Sequence, residues 1–146
     1  MVGRGLVCII LTAGHAQKLS KEIQDDKSGR YGHLKGVPKA LLPSPQGKRI
    51  LDHWWDAINT RQLFSNVFLV TNADKYKYFE RWATASEFPV ENIINDGSTT
   101  EANSIGAVCR FELTLRVKNL WEYDILVIAG DMLFQVIIIY ANVKGI

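Results

Sequence analysis

Two short, uninterrupted apolar runs constrain this chain more than anything else in it: LVCIIL at Leu6–Leu11, and DILVIA at Asp124–Ala129. Neither alternates with polar residues, so each reads as a strand buried on both faces. Such a strand is stable only in a sheet covered by helices above and below. Val67–Thr71 is a second strand of the same kind, and Glu91–Asn95 a third, weaker one. Helical periodicity lies between them. Leu51, Trp54, Trp55 and Ile58 fall at i, i+3, i+4 and i+7 of a helix spanning Ile50–Leu63. Asp74 is placed to cap a helix with Tyr76, Phe79 and Ala83 on one face. Thr99 or Thr100 opens another, with Ala102, Ile105, Val108 and Cys109 expected to point inward. Strands that alternate with helices predict a parallel sheet joined by right-handed crossovers.

Two segments fit this scheme less well. Ser20–Gly36 is polar and charged and reads as a long loop. Near the end, Val136–Tyr140 is apolar and β-prone, and reads either as a fifth strand or as the tail of a chain cut or spliced short. No internal repeat or low-complexity segment interrupts the pattern.

A chain of 146 residues supports one core, and 47% hydrophobic with 22% charged residues is an ordinary globular balance. The net charge of +2 argues for neither nucleic acid nor an anionic membrane as partner. Arg4 followed by the first apolar run mimics a signal peptide. The run is at the short limit for one, however, and a strand explains it as well. No run reaches transmembrane length. Cys8 and Cys109 lack zinc-type spacing and read as two reduced core thiols of a cytoplasmic protein. Gly47-Lys48 reads as a surface turn.

In an open parallel sheet, ligands bind beyond the carboxyl ends of the strands. The residues there are Thr12 to Lys18 after the first strand and Thr71, Asn72 and Asp74 after the second. Asp96 to Thr99 follow the third, and Gly130 and Asp131 the fourth. Ala13 and Gly14 allow close backbone approach. Lys18 and Lys39 can place positive charge on phosphate oxygens. Asp131 can present a carboxylate to Mg²⁺. The collection is what a nucleotide site needs.

The order of these pieces also resembles the NTP-transferase family of sugar-phosphate nucleotidyltransferases: LTAGHAQKL, then GVPKALLPSPQGKRILDHWWDAI, VFLVTN, NDGSTTEANSIGAV and DILVIAGDMLF, from Leu6 to Phe134. PKALLP with a following GK, together with the late AGD, is the most specific part. The resemblance implies an α/β fold: a Rossmann-like parallel sheet with helices on both faces, the N-terminal part of a glycosyltransferase-A-like domain. It implies binding of a nucleoside triphosphate with Mg²⁺, and transfer of the nucleotidyl group to a sugar phosphate or phospho-alcohol. Leu11, Ala13 and Gly14 fall where the family's loop wraps the nucleotide, and Gly97, Ser98 and Thr99 near its base-contacting segment. Lys18 falls on an arginine that grips the triphosphate, Lys39 on a lysine at the α-phosphate, and Asp131 on the Mg²⁺ aspartate.

The sequence departs from that pattern at Ala16, Gln17 and Lys18, where the family has glycine, Thr or Ser, and arginine. It also ends soon after Asp131, so the acceptor-binding part is expected to be missing and the isolated chain to turn over little. Two other readings compete. One is a binding or regulatory module that kept the fold and lost the chemistry. The other is a dinucleotide-binding oxidoreductase, which would need a G-x-G-x-x-G motif that the first loop lacks. An uncovered sheet edge makes self-association an expectation as well.

Overall fold

The computed structural model describes residues 5–14, 17–44, 47–100, 103, 105–131 and 138–142, with the backbone alone described at 17–18 and 138–142. The strands are β1 (Leu6–Leu11), β2 (Asn66–Thr71), β3 (Ile93–Asn95), β4 (Asp124–Ala129) and β5 (Ile138–Asn142). They form one sheet in the order β3-β2-β1-β4-β5. The first four are mutually parallel, and β5 runs antiparallel along β4. The fold is therefore a Rossmann-like α/β sheet, with one antiparallel strand on the edge that the sequence left open. Val136 and Ile137, the start of the expected fifth strand, lie outside the described residues.

The helices are α1 (Gln17–Asp25), α2 (Ile50–Arg61), α3 (Tyr76–Ser86) and α4 (Gly106–Lys118). Alternate residues of each strand face opposite ways, which divides the interior into two cores. Cys8, Ile10, Leu69 and Ile128 face α2 and α3, packing against Leu51, Trp55, Phe79 and Trp82. Val7, Ile9, Phe68, Val70, Ile125 and Val127 face α4 and Leu115. From β1 to β3 the chain steps one way across the sheet with its helices on the first face. It then steps back to β4 with α4 on the second. Reversing both direction and face keeps one hand for all the crossovers.

Some local expectations need correction. The polar stretch from Ser20 is not a long loop at its start: α1 runs to Asp25, and a short 3-10 turn covers Gly32–Leu34. Leu19 and Ile23, one helical turn apart, line a cavity with Leu34 and Leu42, an apolar stripe too thin to stand out from its charged neighbours. The cap position of α3 is Lys75 rather than Asp74. A 3-10 turn at Val90–Asn92 takes the first part of the expected third strand.

The largest difference is in α4, which starts at Gly106 and turns Arg110, Thr114 and Leu115 inward. Val108 is 81% exposed, and Ile105 and Cys109 are also exposed. Ala102 lies outside the described residues. The inward face of α4 is fixed by its C-terminal half and by a buried arginine, so the apolar residues near its start are left outside. Cys109 is therefore a surface thiol, whereas Cys8 is a core thiol as expected, with burial pushing its pKa up to about 12. Among the described residues, no helix is long and apolar enough to cross a membrane.

Two outcomes follow from this packing. Phe79 is fully buried and Val108 is not. Phe79→Ala should cost about 3–5 kcal/mol in urea unfolding, and Val108→Ala within about 0.5 kcal/mol. A thiol reagent at mildly alkaline pH should label Cys109 alone in the native protein and both cysteines after denaturation. The raised Cys8 pKa favours the folded state only while the unfolded thiol stays protonated. Its contribution is complete below the ordinary value of 9.0 and is lost as pH rises toward about 12.

Candidate functional site

The parallel register brings four strand ends to one edge. Leu11 lies beside Val70 on one side and Ala129 on the other, and Thr71 lies beside Asn95. Backbone bonds extend this alignment into the loops. Thr12 N–H donates to Val70 O at 3.0 Å, and Gly130 N–H donates to Leu11 O at 3.0 Å. The chain steps one way from β1 to β2 and the other way from β3 to β4, so the crevice between β1 and β4 is the topological switch point. Ligands of open α/β sheets bind at such points.

Gly14 follows β1 and Asp131 follows β4, and both are exposed. Gly14 adopts φ +150°, a backbone conformation that favours glycine. Its carbonyl accepts a bond of 3.0 Å from Nδ2 of Asn72, a fully buried residue after β2, so the first loop is pinned to the second. Gly130 is required for a different reason. A Cβ there would meet Cγ2 of Ile10 and of Thr12 at 2.7 Å. Only glycine lets β4 finish flush against β1 and deliver Asp131 to the edge.

The loop after β3 is held by an ion pair. Arg110 Nε donates to Asp96 Oδ2 at 2.7 Å, with the Asp96 side chain fully buried and that of Arg110 8% exposed. The other oxygen, Oδ1, accepts from Ser98 N–H at 2.8 Å and Ser98 Oγ at 2.7 Å. Asp96 N–H donates to Thr71 O, and Ser98 O accepts from Ala73 N–H. One carboxylate thus ties the third loop to α4 and, through its backbone, to the second loop. Arg110 is the residue that sequence reasoning missed. The available signal was a cation at helical spacing from the inward Thr114 and Leu115.

The expected site residues fall as follows. Leu11, half-buried, packs on the α4 side of the sheet. Ala13 is half-buried and Gly14 exposed in the first loop. Gly97, at φ +82°, and Thr99 are exposed in the third. Ser98 is buried; its N–H and hydroxyl serve the loop itself and its carbonyl the loop after β2, so it shapes the segment. Lys39 is exposed on a 3-10 turn, Lys39–Leu41, anchored by buried Ala40 and Leu41. Lys75 Nζ donates to Gly36 O at 2.7 Å, which ties the approach to that turn to the loop after β2. Lys18 lies in the first turn of α1, and its side chain is outside the described set, as are His15 and Ala16.

Among the described residues, no three His, Cys, Asp or Glu side chains gather to hold a metal. Asp131 is a single exposed carboxylate, which suits an ion that takes the rest of its shell from phosphates and water, as Mg²⁺ commonly does. The sequence matches no family model and no curated protein.

Arg110→Ala should lower the unfolding free energy by about 3–5 kcal/mol, because it strands a buried carboxylate. Combined with Asp96→Ala, the loss should fall well short of the sum of the two single losses in a double-mutant cycle read by urea unfolding.

Proposed function

We propose that this edge of the sheet binds a nucleoside triphosphate together with Mg²⁺, as the nucleotide-binding part of a nucleotidyltransferase. The observation that carries this reading is the pair of groups flanking the switch point. A glycine loop fixed by Asn72 stands on the β1 side, and a carboxylate delivered by an obligatory glycine stands on the β4 side. The order of motifs from the first loop to the AGD segment supports it.

In the reaction this reading implies, an oxygen of a sugar phosphate or phospho-alcohol attacks the α-phosphorus, and the bond to pyrophosphate breaks. The protein then supplies alignment and charge more than covalent chemistry. The backbone around Ala13 and Gly14 wraps the phosphates. Lys18 offsets charge along the triphosphate, and Lys39 near the α-phosphate. Gly97 and Thr99 border the nucleoside end, on a loop that the Asp96–Arg110 pair keeps in shape. Asp131 is the residue to hold Mg²⁺, which supplies charge neutralisation on the triphosphate when bound.

Calorimetry with ATP, GTP, CTP and UTP tests the reading. At least one should bind in the presence of Mg²⁺, and less tightly after chelation. Lys39→Ala and Asp131→Ala should each weaken it about tenfold or more, the size of a lost charge-assisted contact, with the urea midpoint unchanged. Silence toward all four by a folded protein would reject it.

A further inference from the structure

A second cavity, of about 500 Å³, takes in Leu41 of the Lys39–Leu41 turn but no residue of the loops that follow the strands. Its apolar wall is Leu34, Val37, Leu41 and Trp82, and Arg49 and Arg81 also line it. Among the described residues, neither guanidinium has an ion-pair or hydrogen-bond partner. Asp52, which bonds to two residues that line the cavity, is already committed. Its Oδ1 accepts from Trp82 Nε1 at 2.8 Å and its Oδ2 from Arg49 N–H at 3.0 Å. That arrangement holds the indole rigidly and leaves the arginine side chains to something else. Arg49 is also the cap residue of α2, so the positive end of that helix lies beside the same cavity.

Both guanidiniums are exposed and line one apolar hollow, so an anion that enters it can meet both. Guanidinium forks match the oxygens of a carboxylate or phosphate. An indole and branched aliphatic side chains match a flat apolar body. The volume falls in the ordinary range for small-molecule pockets, about 300–1,000 Å³. We propose that this cavity binds a small aromatic anion, with its ring against Leu34, Val37 and Tyr78, above the buried Trp82 and Leu41, and its acid group between Arg49 and Arg81. The proposal does not depend on nucleotide binding at the sheet edge.

Phenyl phosphate is the probe, followed by amide and indole NMR on the intact chain, with inorganic phosphate and phenol as controls. The expected result is a saturable shift of the Trp82 indole N–H and of the Leu41 and Arg81 amides with phenyl phosphate, and far weaker effects from either control. Arg49→Gln with Arg81→Gln should weaken binding about tenfold or more, and Arg81→Gln alone should weaken it in part. Lys39→Ala, at the other site, should leave it unchanged. The proposal is overturned if those resonances do not saturate, if inorganic phosphate binds as well as phenyl phosphate, or if the arginine variants bind like the parent.

Discussion

The structure depends on the double burial of β1. Val7 through Ile10 have no exposed surface, because β1 is paired on both edges and covered on both faces. A strand in that position must satisfy its whole backbone from neighbouring strands, since water cannot reach it. β2 and β4 supply those partners by running alongside it, in register and parallel. Once they do, Leu11, Val70 and Ala129 end together, and the loops that follow share one edge. The shared edge is thus a by-product of burying four apolar residues of β1.

What gives the third loop on that edge a fixed shape is polar and also buried. The Asp96 carboxylate is inaccessible to solvent, yet it meets a guanidinium, a hydroxyl and a backbone N–H. Removing a charge from water costs several kcal/mol and is recovered only where the geometry is good and every oxygen is satisfied. A hydrophobic pair in the same place could stabilise the domain as well. It would not set the path of the loop, because apolar contacts lack direction. The network therefore accounts better for the shape of the third loop than for the stability of the fold.

The sheet was legible in the sequence because its signal is redundant. Each residue of LVCIIL and of DILVIA says the same thing, and the boundaries at Leu6, Leu11, Asp124 and Ala129 match the strands. Helix α2 was legible because Leu51, Trp55 and Ile58 form a broad stripe. Helix α1 was hidden by charged residues around Leu19 and Ile23. The phase of α4 was misread because Ile105, Val108 and Cys109 are apolar yet exposed, while Arg110 is charged yet buried. Hydropathy cannot anticipate a buried cation whose partner stands fourteen residues earlier on another element. The loops of the candidate site were located from strand ends alone, but the internal use of Ser98 and the grip of Asn72 on Gly14 were not.

By itself, then, the sequence determined the class of fold, since uninterrupted apolar strands separated by amphipathic helices have few ways to bury both faces. It also determined which loops lie at the carboxyl ends of the strands. Only the tertiary structure decided the strand order, the switch point between β1 and β4, the antiparallel seat of β5 and the Asp96–Arg110 pair. Those features depend on contacts between residues far apart in the chain, and local periodicity carries no record of which distant partner a strand or a charge will meet.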